Sequence, residues 1–209
     1  MASLDVLLAF AAATALFAYF PGPALLYTAA QTLTRGRRGG FMAALGIHLG
    51  CYVHVIAATL GLSAVFQHVP ELFVAVKIAG AAYLVWLGIG MIRNRGFGAE
   101  LPAVAPKSVR RALAESFLVE LLNPKVAIFF IAFLPQFVDP AASLPVWAQF
   151  LILGVVVNLA FSSADLITVV FAAAVVGRLK RAGRAQRLAR AAGGALLIGL
   201  GARLALERN

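Results

Sequence analysis

Charge is scarce in this chain. Only 12% of its 209 residues are charged, and just 8 of those are acids. A water-soluble domain carries about a quarter charged residues and is about half apolar. Here 62% of residues are hydrophobic and mean hydropathy is +0.93, so the expected solvent for most of the surface is lipid. Cysteine is lacking but for Cys51, which excludes an intrachain disulfide and a CxxC redox pair. Basic residues are missing from Met1 to Asp5, ahead of the first apolar run. A cleaved signal peptide carries a basic start, so the first segment is expected to be retained. The GxxxxGK[ST] phosphate loop is absent, which excludes ATP hydrolysis by that route.

What is present is a set of long apolar runs. A spanning helix needs about 20 apolar residues at about 1.5 Å each. Six candidates appear, the last of them short: Leu4–Leu33, Phe41–Phe66, Leu72–Ile92, Leu113–Val138, Val146–Val176 and Ala191–Leu206. The net charge of +10 would raise the question of nucleic acid in a soluble protein. In this chain the basic residues gather in short loops between the runs. Arg35, Arg37 and Arg38 lie in the first loop; Arg93, Arg95, Lys107, Arg110 and Arg111 in the third; Arg178, Lys180, Arg181, Arg184, Arg187 and Arg190 in the fifth. The second and fourth loops, Gln67–Glu71 and Phe137–Pro145, hold none. Basic loops stay cytoplasmic, so loops 1, 3 and 5 are expected inside and both termini outside, with no nucleic-acid partner.

Two of the runs are broken, the first by Pro21-Gly22-Pro23 and the fourth by Asn123-Pro124-Lys125. An unpaired backbone group in lipid costs several kcal/mol, so non-helical backbone survives at membrane depth only where protein or water lines it. Three spans per half is an odd number, so two related halves must lie in opposite orientations, with the first and fourth spans equivalent. The expected fold is an all-α membrane protein, one transmembrane domain of six helices in two inverted three-helix repeats, residues 1–98 and 99–209. Gly22 and Asn123 each lie about ten residues from the cytoplasmic end of their span, which puts both breaks about 15 Å deep, near the middle of the hydrocarbon layer.

Pro21 and Pro23 remove two amide donors, and Gly22 between them tolerates unusual dihedrals. A half-helix restarting at Ala24 is expected to direct its first amides, Ala24 to Leu26, and its positive dipole end toward the break, a setting suited to a carboxylate. Asn123 is expected to cap the second half-helix with Pro124 in its first turn, presenting amides to the same space. Lys125 is a charge inside an apolar span and needs an anionic partner. Two acids qualify. Glu120 lies five residues earlier, off the same face unless the break reorients it; Asp165 lies in the fifth span among Asn158, Ser162 and Ser163. Two alternatives stay open. One is a structural ion pair such as Lys125–Asp165. The other is that Asp165 or Glu120 binds a substrate ammonium or carries the coupling proton, since low dielectric disfavours the charged form of a carboxylate. Thr28 and Gln31 fall on the half-helix after the first break, as path-lining groups or as partners of a neighbouring helix.

His48 and His54 flank Cys51, but six residues turn about 240° around a helix, so they make a poor joint metal site and no metal ligand is assigned. Packing or a single hydrogen bond is the expected role of each. Gly46 and Gly50 form a GxxxG pair that lets another helix approach, and Gly80, Gly88, Gly193, Gly194 and Gly199 are expected to pack closely too. Gln136 near the end of the fourth span carries no argument of its own.

Phe20-Pro21-Gly22-Pro23, followed by Arg35-Gly36-Arg37-Arg38-Gly39-Gly40 and Ala44-Leu45-Gly46-Ile47, resembles the LysE/RhtB family of bacterial amino-acid exporters. Asn123-Pro124-Lys125-Val126-Ala127-Ile128-Phe129-Phe130, then Phe133-Leu134-Pro135-Gln136-Phe137, is similar to its second signature, and Lys77-Ile78-Ala79-Gly80-Ala81-Ala82-Tyr83-Leu84 resembles the stretch after its second loop. The resemblance implies six spans in the bacterial cytoplasmic (inner) membrane and export of an amino acid or a related metabolite against a cation gradient. It marks Pro21, Gly22, Pro23, Asn123, Pro124 and Lys125 as signature positions. Glu120 and Asp165 match no motif of the family.

The leading reading is a secondary exporter of a small amino acid or similar zwitterion, by proton antiport, with Pro21 to Ala24 and Asn123 to Lys125 as substrate-binding residues and Asp165 or Glu120 as the proton-coupling or ammonium-binding acid. It needs no cofactor, and a homodimer is left open. Divalent or heavy-metal cation efflux is the alternative within transport; one cysteine and few acids in the spans weigh against it. A membrane-embedded enzyme is the alternative of a different class, and no HExxH or GxSxG motif supports it.

Overall fold

The computed structural model describes residues 4–68 and 109–180, together with scattered positions between 75 and 93 and between 188 and 202. The expected third and sixth spans are described only in part, and most of the third and fifth loops and the boundary between the two repeats lie outside the described residues. Among the described residues every regular element is a helix. The main ones are α1 (Leu4–Tyr19), α2 (Pro23–Ala57), α3 (Ser63–His68), α4 (Val109–Leu121), α5 (Pro124–Ile128) and α6 (Val146–Lys180). A π turn, Ala58–Leu62, joins α2 to α3; a second, Phe129–Phe133, and a 3-10 turn, Leu134–Phe137, extend α5.

Among the described residues two helical stretches are long and apolar enough to cross a membrane, Pro23–Val65 and Val146–Ala174. A third candidate is the pair Arg110–Leu121 and Pro124–Phe137, bent by 42° at its break. Both expected interruptions are present: α1 stops at Tyr19 and α2 starts at Pro23, while α4 stops at Leu121 and α5 starts at Pro124.

The first loop differs from expectation. No irregular segment separates the first two runs; helical structure runs through, and Gly36 alone breaks it, at φ +71° and ψ −177°. Only glycine adopts that backbone readily. The chain doubles back there. Residues eight apart in a straight helix are about 12 Å apart, yet a methyl at Gly40 would collide with the Thr32 side chain. Gly39 and Gly40 thus let the returning arm pack on the arm just left, with Arg37 and Arg38 exposed at the corner.

The second arm of α2 runs between α4 and α6. Its GxxxG pair does what the spacing predicts: Gly46 lies against the Leu113 carbonyl and Gly50 against the Phe117 carbonyl and the Glu120 side chain. Gly199 differs, because nothing lies within 4 Å of where its side chain would be. In α6, Phe171 departs from helical geometry (φ −117°, ψ 27°). The core holds a cluster of packed phenylalanine rings. Phe10, Phe17, Phe129, Phe133 and Phe137 are all buried, with ring centroids 4.4 Å apart for Phe129 and Phe133 and 5.1 Å for Phe10 and Phe137. These rings clamp α1 to the extension of α5, so the two broken stretches pack on each other.

Candidate functional site

The site begins at the second break. Asn123 leaves the helix (φ −74°, ψ 106°), and its side-chain oxygen accepts from the Lys125 amide at 3.1 Å. Its backbone carbonyl accepts from the amides of Val126 and Ala127. The capping expectation holds, and it overturns its companion: the first amides of α5 are used by Asn123 itself and are not offered to a solute. Asn123 Nδ2 also donates to Glu120 Oε2 at 3.0 Å. One side chain therefore starts α5 and turns the Glu120 carboxyl back across the gap, the reorientation that the five-residue spacing required. Glu120 is 1% exposed, and its other oxygen, Oε1, has no hydrogen-bond partner among the described residues.

The first break is barer. Gly22 is extended and brings no side-chain cap to α2. Its carbonyl accepts from the Leu26 amide at 3.0 Å, so Leu26 drops out of the expected set of free amides, leaving Ala24 and Leu25 without a side-chain cap. Pro21 is half-buried and Pro23 exposed. Gly22 is buried because the Lys125 stem crosses it: a methyl at Gly22 would sit 2.8 Å from Lys125 Cδ.

Lys125 makes the largest departure from expectation. It forms no ion pair with Asp165. Its ammonium donates to the backbone carbonyls of Phe17 at 2.6 Å and Phe20 at 2.7 Å, the last turn of α1. A cation suits the negative end of a helix and satisfies carbonyls the helix leaves over. The rings of Phe17, Phe161 and Phe20 surround it, with centroids 5.2, 5.7 and 5.9 Å from Nζ. Glu120 and Asp165 are within Coulombic reach without being bonded to it.

Asp165 is 3% exposed and accepts from the Thr28 hydroxyl at 3.1 Å. Thr28, flagged by its position after the first break, is thus a partner of α6. Gln31 is fully buried one turn further along. Beyond it Tyr27 donates to Glu115 Oε2 at 3.0 Å, and Arg111 donates to Glu115 Oε1 at 2.9 Å. His48 and His54 go separate ways, as their spacing predicts. His48 Nδ1 lies 2.6 Å from Ser162 Oγ, and His54 Nε2 lies 3.1 Å from the Glu120 carbonyl. Gln136 is buried and donates to the Ala132 carbonyl.

Some of these residues line one cavity. Gly22, Ala24, Glu120, Asn123, Lys125 and Asp165 share it with Phe161 and a few aliphatic side chains, around a cavity volume of about 30 Å³. Sequence reasoning named six of these residues and missed the aromatic ring around Lys125. Phe17 and Phe20 do stand just before the first break in the sequence, but nothing in one chain's residues says that a lysine 108 and 105 positions later reaches their carbonyls.

A sequence model of the family described as LysE type translocator matches residues 15–208. The chain belongs to the LysE type translocator family. Membership makes it a translocator and not an enzyme, which closes the catalytic alternative. An uncharacterized membrane protein of Pseudomonas aeruginosa is 36% identical over 193 residues, 88% of each chain. The leucine efflux protein of an Enterobacter species is 33% identical over 189 residues, again 88% of each. The homoserine/homoserine lactone efflux protein of Salmonella typhimurium is 36% identical over 136 residues, 65% of each. No solved structure matches.

Proposed function

We propose that this LysE translocator exports a small amino acid or a related zwitterion across the bacterial cytoplasmic membrane, in exchange for protons. One observation carries the reading: the two helix breaks meet at a single cavity that holds an ammonium and two buried carboxyls. Such a set costs too much in lipid to serve packing alone and has the charges a zwitterion needs. Lys125 answers the carboxylate. Glu120 and Asp165 supply the countercharge for the ammonium, and one of them carries the proton. Relatives named for efflux of leucine and of homoserine support an amino acid as the solute.

The architecture that fits is six spans in two inverted three-helix repeats, residues 1–98 and 99–209, with the breaks near the bilayer centre and both termini outside. The two observed breaks, at equivalent places in the first and fourth runs, support it. Alternating access then follows from rocking one repeat on the other, around the aromatic seam between α1 and the extension of α5.

Proteoliposomes loaded with labelled amino acids test this. An imposed pH gradient is expected to drive efflux of at least one neutral amino acid through the natural sequence. Lys125→Ala is expected to abolish it while still inserting, and Asp165→Asn to leave exchange of amino acid for amino acid but no response to ΔpH. Efflux by Lys125→Ala at the natural rate removes that residue from the site, and transport of a divalent metal instead of any amino acid overturns the proposal.

A further inference from the structure

Lys125 occupies a place built for something more general than itself. Two carbonyl oxygens and three aromatic faces form a receptor for a primary ammonium: the carbonyls accept two N–H donors, and the rings stabilise the charge without neutralising it. The lysine rests there although Glu120 Oε1, in the same cavity, has no partner among the described residues. An unpaired buried carboxyl oxygen and an ammonium parked on neutral acceptors are two halves of a pair left unmade. Only two of the three ammonium donors are used, so a carboxylate arriving while Lys125 stays seated obtains a single bond from it. If Lys125 leaves, the carboxylate obtains more, but the Phe17 and Phe20 carbonyls then lose the bonds that the lysine gives them in an apolar setting, which is costly. A zwitterion resolves the conflict, because it brings a replacement ammonium with the carboxylate that draws the lysine away.

The geometry points to a primary-ammonium subsite on the terminal carbonyls of α1, filled here by Lys125 and passed to the ammonium of an incoming zwitterion as Lys125 turns to the substrate's carboxylate and to Glu120. The exchange replaces one cation by another, so the charge of the cavity wall is conserved. Gly22 is the residue that permits it, since any side chain there would collide with the lysine stem. This rests on the reading that the cavity takes a zwitterion, and it sets which ones: solutes whose ammonium keeps at least two N–H donors.

The test uses simple cations and the purified full chain, with no transport step, so the subsite can fail while export stands, and the reverse. Lys125→Ala vacates the stem as well as the ammonium, and ethylammonium chloride is expected to raise its thermal midpoint saturably. The natural sequence, with its seat filled, should not respond, and tetramethylammonium, which has no donor, should not replace ethylammonium. Lys125→Met keeps a stem and frees only the place of Nζ. It should respond to the bare ammonium ion and not to ethylammonium, and it decides the matter if Lys125→Ala does not fold. Adding Phe161→Leu to whichever variant responds should weaken binding of the cation about three- to tenfold by removing one ring. Absence of any response in the Met variant, or equal responses in the natural sequence, overturns the subsite. For the exchange itself, N,N-dimethylation of a transported amino acid should lower its affinity at least about tenfold, because a charge-assisted hydrogen bond is lost; undiminished binding overturns the exchange.

Discussion

At Gly50 a single methyl group would lie 2.8 Å from the Phe117 carbonyl oxygen and 2.9 Å from Glu120 Cβ, and both belong to a helix that cannot easily retreat. Gly46 is as tightly placed one turn earlier, against Leu113 and Ser116. Overpacking of this kind costs about 1–3 kcal/mol. Gly50→Ala and Gly46→Ala are each expected to lose that much stability in thermal unfolding in micelles. Gly61→Ala, with nothing within 4 Å, should stay within about 0.5 kcal/mol of the natural sequence. The close approach at Gly50 also has a chemical side. It holds the α4 backbone against α2 at the level of Glu120, so the carboxyl is carried into the cavity by a rigid contact.

At the scale of the element, the breaks separate what sequence can tell from what it cannot. Proline at 21, 23 and 124 lacks the amide that a helix interior needs, and Asn123 before Pro124 is a cap by local chemistry alone, so both interruptions and the cap were legible. The turn at Gly36 was not. A glycine among arginines reads as a loop, and only its positive φ, together with the Thr32–Gly40 contact, shows a reversal made at one residue. The partner of Lys125 was not legible either, because backbone carbonyls carry no signature in a sequence. Physical reasoning demanded an anion and the helix end supplied one in the form of a dipole. Asn123→Ala is expected to lose about 0.5–2 kcal/mol through the cap alone and also to release the Glu120 carboxyl. Asn123→Asp keeps an acceptor for the Lys125 amide but sets a second carboxyl against Glu120. Unfolding midpoints similar to each other, with efflux lost in both, are the expected outcome; efflux retained in the Ala variant would show that the Glu120 contact is dispensable.

At the scale of the whole molecule, orientation follows from charge. The described part of the first loop places Arg37 and Arg38 at an exposed corner, whereas the loop from Val138 to Pro145 carries Asp139 and no basic residue. The distribution predicts that position 38 faces the cytoplasm and position 139 the opposite side. The solitary Cys51, 1% exposed, makes the measurement clean. In intact cells a membrane-impermeant maleimide is expected to label Asp139→Cys at once and Arg38→Cys only after permeabilisation, with little background from the natural sequence. Labelling in the reverse order would invert the topology and, with it, the direction in which the cavity must open.

The outer face of α2 has a consequence for the membrane itself. Phe41, Leu45, Leu49, Val53 and Ile56, and Leu60 in the π turn that continues the helix, all stand exposed, one per turn, along the side turned away from the core. From the first to the last is about 28 Å at about 1.5 Å per residue, close to the hydrocarbon depth of an ordinary bilayer. The stripe acts as a ruler: shorter-chain lipids oblige the helix to lean or the bilayer to swell around it, and a tilt that begins there is delivered, through the glycine contacts, to the helix bearing Glu120.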